Sequence, residues 1–152
     1  MLENDIHSMF EKSLAIDGRF LNLEDAKRIR EKYFDDNKEE ILKEIKELIS
    51  IPSVLVDTPE CKEAPFGIDN VRALEYMLKL GEKYGFKTYN CENVAGHIEY
   101  GEGEEVFACL CHTDVVPAIG AWTKPPFESY IKDGKIYGRG SIDDKGPAII
   151  SL

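Results

Sequence analysis

Apolar and polar positions follow three different rhythms along this chain. The first 22 residues are weakly patterned, mixing Met9, Phe10, Leu14, Ile16 and Phe20 with charges, and Asp17-Gly18 reads as a turn. A short helix is expected from about Glu24 to Tyr33. From Asn37 to Ile49, Ile41, Leu42, Ile45, Leu48 and Ile49 fall on one stripe of a 3.6-residue period, which predicts an amphipathic helix. Asp36 with Glu39 three residues later looks like its capping box. Ile51-Pro52 stops it, because the residue before proline avoids the helical region.

A loop rich in proline and glycine follows over 54–68. A second helix is expected from Asp69 as N-cap, with Val71, Leu74, Met77, Leu78 and Gly81 inside and Gly85 just beyond its end. The rhythm then changes. Phe86–Tyr89 and Val94–Tyr100 suggest strands, and Val106–Cys111 is an unbroken apolar run of the kind that forms a strand covered on both faces. Tyr130–Lys132 and Lys135–Tyr137 flank Asp133-Gly134, a strong local signal for a hairpin. Proline at 147, followed by Ala-Ile-Ile-Ser-Leu, marks the start of another helix. The expected fold class is α/β, a mixed sheet flanked by helices.

Composition narrows the function. The 152 residues carry 19 Lys+Arg against 29 Asp+Glu, a net charge of −10. The acids are spread along the chain rather than gathered in a tail, so they read as a solvated surface. A phosphate-backbone binder needs clustered bases, so nucleic acid is not an expected partner. No apolar run approaches the roughly 20 residues that cross a bilayer, so no membrane is expected either. Cys61, Cys91, Cys109 and Cys111 form no C-x-x-C pair, which argues against a zinc ribbon or a redox motif. Cys109 and Cys111 are expected to be small hydrophobes inside the apolar run. The N-terminal residues lack the pattern of a signal peptide, and the expected setting is cytoplasmic.

Candidate chemistry lies at the carboxyl end of that run, where open α/β sheets bind ligands. His112 and Asp114 are two residues apart, so an extended backbone points both to one side. A carboxylate there can fix the tautomer of an imidazole, as happens behind metal-bound histidines. Asp143-Asp144 adds two adjacent acids between Gly140 and Gly146, near a helix start that favours anions. Separately these signals are ordinary: a strand-end turn for the first, an N-cap and a solvated acid for the second.

In order, however, His112-Thr113-Asp114-Val115-Val116-Pro117, then Trp122-Thr123-Lys124-Pro125-Pro126-Phe127, then Tyr137-Gly138-Arg139-Gly140-Ser141-Ile142-Asp143-Asp144-Lys145-Gly146-Pro147 resemble one family. It is the zinc-dependent aminoacylase/carboxypeptidase/dipeptidase family of metallopeptidases. The Asp-Asp-Lys-Gly-Pro ending is most similar to PepV-like dipeptidases and carnosinases. The resemblance covers about Tyr33 to Leu152, leaving residues 1–32 as an N-terminal extension of unread role.

The resemblance implies a zinc-exopeptidase-like catalytic domain, incomplete here. It implies His112 as a ligand of one zinc ion, Asp143 as the carboxylate bridging two, and Asp114 as the active-site acid that orients the histidine. It also implies a cis peptide after Asp143. Trp122, Pro125, Pro126 and Phe127 match an apolar loop and are expected to pack, while His7 and His97 match nothing. The implied reaction is hydrolysis of a dipeptide's peptide bond, with a small peptide as substrate. The family's general-base glutamate, further metal ligands and lid domain have no counterpart in residues 33–152. The chain therefore reads as the front part of a larger catalytic domain, binding zinc weakly and hydrolysing nothing alone. Two alternatives stay open: a non-catalytic truncated domain, and an N-acyl amino acid deacylase of the same family.

Overall fold

The computed structural model describes residues 15–16, 19–20, 23–56 and 62–152. His7, Cys61 and the Asp17-Gly18 turn lie outside the described residues. The chain divides into two units, Met1–Ile41 and Leu42–Leu152. In the first, β1 (Ala15–Ile16) pairs antiparallel with β2 (Arg19–Phe20).

Helix α1 runs unbroken from Leu23 to Ser50, where the sequence pattern suggested two helices. Asp36 does not cap. Its carboxylate accepts from Lys32 one turn earlier, and the Asn37 side chain donates to the Tyr33 carbonyl. With no glycine or proline between Glu24 and Ile49, both polar side chains serve the helix instead of starting one. Its buried stripe near the C-terminal end is Ile45, Leu48 and Ile49.

In the second unit, α2 (Ile68–Lys83) begins one residue before the expected cap, with Gly67 at the N-cap position. Asp69 lies in the first turn and pairs with Arg72. The entry is held instead by Asn70, whose side chain donates to the carbonyls of Val54 (3.0 Å) and Phe66 (2.7 Å). The exit follows the sequence signal. Gly85 adopts φ 82°, the N–H of Gly85 donates to Glu82 and that of Phe86 to Gly81, which satisfies the last carbonyls in a Schellman arrangement. Val71, Ala73, Met77, Leu78, Leu80 and Gly81 form the buried face.

Strands β3 (Lys87–Cys91) and β4 (Ala95–Glu99) pair antiparallel against α2, with His97 on β4 stacked on Tyr89. Strands β5 (Tyr130–Lys132) and β6 (Lys135–Tyr137) form the hairpin expected around Asp133-Gly134, both turn residues having positive φ. Helix α3 spans Lys145–Ser151. Helices and small antiparallel sheets thus make a partial α/β arrangement, and a parallel bridge, Val54 to Val115, joins residues outside the named strands.

The expected buried strand is also absent. Val106–Cys111 forms no strand and is not buried: Val106, Phe107 and Leu110 are 86%, 87% and 99% exposed, and Cys109 and Cys111 are exposed thiols. An apolar run becomes a covered strand only when neighbours pair with its backbone. Among the described residues no strand lies beside it.

A buried charge anchors α1 to α2. The Glu44 side chain is 4% exposed and accepts from Lys83 Nζ (2.8 Å) and the Tyr84 hydroxyl (2.6 Å). Glu44→Gln keeps the shape but weakens both charge-assisted bonds. It is expected to cost about 1 kcal/mol in urea unfolding; an unchanged midpoint would contradict this role.

Candidate metal centre

The site is built from two loops brought to one helix end. The first carries His112 and Asp114. Although no strand precedes it, the backbone here is fastened to residues just past α1. Ser53, fully buried, donates its hydroxyl to the Thr113 carbonyl at 2.6 Å, and the Val115 N–H donates to the Ser53 carbonyl at 2.9 Å. Thr113 is thereby tied down between His112 and Asp114.

The second loop runs from Gly138 to Asp144 into α3. Ser141 N–H donates to Gly138, and Gly146 N–H reaches back to Gly140. The Asp143–Asp144 peptide is cis, as the family resemblance implied. Lys145 is completely buried, and its ammonium donates to the carbonyls of Leu48 (3.0 Å) and Ile51 (2.6 Å). These carbonyls lie at the end of α1, where helices leave acceptors without intrahelical partners.

The two loops meet at the imidazole. His112 Nε2 lies 3.0 Å from Asp143 Oδ1, and Nδ1 lies 3.2 Å from Asp114 Oδ1 and from the Asp114 carbonyl. The His112 N–H donates to Asp144 Oδ2 at 3.1 Å. Sequence spacing had set His112 beside Asp114, and the structure also brings Asp143 to them. Desolvation works against the charged imidazole, but the hydrogen bond to Asp143, the Asp114 carbonyl and both carboxylate charges outweigh it, so the His112 pKa is raised. The cluster faces solvent, with the His112 and Asp143 side chains 50% and 83% exposed.

Both Asp114 acceptors at Nδ1 suit an Nδ1–H, while Nε2 and Asp143 Oδ1, 3.0 Å apart, hold a proton between them that a metal ion would replace. An imidazole nitrogen and a carboxylate oxygen are donors that zinc accepts. They fit as part of a metal site, although no set of three ligating groups occurs among the described residues.

Three contributors escaped the sequence reading. Ser53 was visible only as part of a helix stop, Asp144 only as one of two adjacent acids, and Lys145 only as a letter of the Asp-Asp-Lys-Gly-Pro motif, with no role. The one available signal was the placement of Lys145 directly after the paired acids. Trp122, expected to pack, is 38% exposed and lies beneath the Arg139 guanidinium, 5.1 Å from its ring centre.

A histidine and an aspartate are held together at the end of a helix, in a partial α/β frame. The comparisons give it a family. Residues 108–152 match the model described as peptidase family M20/M25/M40. The chain is similar to "Putative dipeptidase YtjP" of Bacillus subtilis, 46% identical over 76% of this chain and 25% of that protein. It is similar also to "Putative dipeptidase SSP1012" of Staphylococcus saprophyticus, 47% identical over 72% of this chain and 23% of that one. A "Putative dipeptidase" of Staphylococcus epidermidis is 43% identical over 72% and 24%. Residues 108–152 thus belong to the M20/M25/M40 peptidases, and over about three quarters of its length the chain is similar to proteins named putative dipeptidases. It spans about a quarter of the length of these relatives. No helix among the described residues is long and apolar enough to cross a membrane.

Proposed function

We propose that this chain supplies part of the active site of a cytoplasmic, dinuclear zinc dipeptidase. His112 is a ligand of one ion, Asp143 bridges two, and Asp114 orients the histidine. The observation that carries this reading is His112 itself, with Nε2 3.0 Å from Asp143 and Nδ1 held by Asp114. The names of the similar proteins support a dipeptide over an N-acyl amino acid as substrate.

Zinc, when bound, supplies Lewis acidity toward the scissile carbonyl. The residues of this chain prepare for it. Asp114 keeps the proton on Nδ1, so Nε2 presents a lone pair. Asp143, 83% exposed, offers its carboxylate without first having to leave a buried partner. Asp144 takes the His112 backbone N–H and sets the distance between the loops.

A catalytic zinc site normally has three protein ligands and an open position. The described residues bring two together, so the 152-residue chain alone is expected to bind zinc weakly and to hydrolyse no dipeptide. Calorimetric titration with zinc and a dipeptidase assay on the chain check this. His112→Ala should abolish the weak binding while leaving the far-ultraviolet spectrum intact. Tight stoichiometric zinc with turnover would refute the inactivity. Zinc binding indifferent to both His112→Ala and Asp143→Ala would refute the site.

A further inference from the structure

We infer that Ser53 and Lys145 are positioning residues for the metal centre, because their buried side chains fasten its two loops to one segment, Leu48–Ser53. This rests on the assignment of His112 and Asp143 as ligands. The argument starts from burial. A lysine is almost never fully buried without a partner, and a buried hydroxyl needs an acceptor. Both residues are at 0% exposure, and Ser53 donates to one main-chain carbonyl and Lys145 to two.

The acceptors are what matter. Lys145 Nζ reaches Leu48 and Ile51, at the last turn of α1 and just beyond it. Ser53 Oγ, two residues on, reaches Thr113, which sits between His112 and Asp114. Lys145 is two residues from Asp143 in sequence. The same short segment therefore holds the histidine loop through one hydroxyl and the aspartate loop through one ammonium. Its carbonyl at Ser53 adds a backbone bond to Val115, and Val54 bridges to the same residue.

Space around Lys145 is as constrained as its polar contacts. A Cβ at Gly140 would lie 3.0 Å from the Lys145 Cδ and 3.1 Å from Val115, so the aliphatic stem fills the gap between the two loops. The Lys145 side chain is thus both strut and spacer. The hydrogen bonds of Ser53 and Lys145 go to main-chain carbonyls and not to His112 Nε2 or Asp143 Oδ1, so their effect on a bound metal must pass through the ligands. Outer-shell groups of this kind typically alter metal affinity by about 10–100-fold.

The test is Co²⁺ titration of the 152-residue chain, followed by paramagnetic shifts of the His112 ring resonances, with urea unfolding on the same samples. Ser53→Ala and Lys145→Met are each expected to weaken Co²⁺ binding about tenfold or more. Leu80→Ala, a buried substitution in α2 remote from both loops, should lower the unfolding midpoint while leaving Co²⁺ affinity unchanged. If Lys145→Met does not fold, Ser53→Ala, which removes a single hydroxyl, decides the matter alone. Affinity unchanged in Ser53→Ala, or reduced equally in Leu80→Ala, overturns the inference while leaving the ligands in place. Affinity unaffected by His112→Ala and Asp143→Ala overturns the ligand assignment, and the inference with it.

Discussion

Gly146→Ala is expected to destabilise the chain by about 2–3 kcal/mol and to disorganise the Asp143 loop. Two effects oppose each other. Gly146 lies in the first turn of α3, where alanine is favoured over glycine by about 1 kcal/mol. A Cβ at this position, however, would overlap the Ser141 carbonyl oxygen, a main-chain atom with no flexible end to swing away. Ser141 is itself fixed by its bond to Gly138, and Gly146 N–H is engaged with Gly140. Overpacking typically costs about 1–3 kcal/mol and occasionally more, and with main chain as the clashing atom this case lies at or above the upper end, so the clash wins over propensity. Urea unfolding measures the net effect. A variant as stable as the parent, or more stable, would show that helix propensity dominates and that the Ser141–Gly146 approach is slack.

Stability should also rise with pH between about 8 and 10. Burial pushes the Lys145 ammonium down to about 8, with the charges of Asp114 and Asp69 pulling weakly the other way. The unfolded chain keeps the ordinary lysine value of 10.5. Below pH 8 both states carry the proton, and the folded state bears the full cost of a buried charge. Above it, the folded lysine is neutral while the unfolded one is still protonated, so the unfolded state binds more protons and stability climbs by about 1.4 kcal/mol per pH unit. The gain by pH 10 is about 2–3 kcal/mol. Tyr76 and Tyr84 then reverse the trend. Burial and their bonds to Glu47 and Glu44 raise both phenols above the ordinary 10.0, so stability is lost once unfolded tyrosines ionise. Chemical denaturation from pH 7 to 11 should therefore give a maximum near 10, and Lys145→Met should remove the rise but keep the fall. A flat profile through pH 8–10 would contradict the depressed lysine.

Where structure is decided locally, the sequence showed it. The end of α2 is written in Gly85, and the β5–β6 hairpin in Asp133-Gly134, because only certain residues tolerate positive φ at those points. His112 beside Asp114 follows from the two-residue alternation of extended backbone. What depends on distant partners was not visible. Residues 35–37 looked like a helix boundary because their side chains can cap, yet here they bond within the helix. Val106–Cys111 looked buried because apolar residues usually are, while burial is a property of the neighbours. The burial of Lys145 was not legible for the opposite reason: although the residue stands in the quoted motif, nothing local distinguishes a lysine on the surface from one reaching Leu48, 97 residues away.

The exposed run at 106–111 also sets the scale for any stability measured on this chain. Covering a valine, a phenylalanine and a leucine is worth about 1.5–3 kcal/mol each, together about 4.5–9 kcal/mol. That equals the whole folding free energy of many small domains, which lies at about 5–15 kcal/mol. Whatever comes to lie against Val106, Phe107 and Leu110 is therefore linked to folding as strongly as a tight ligand would be. Free energies from the bare chain and from any assembly that covers this segment measure two different equilibria.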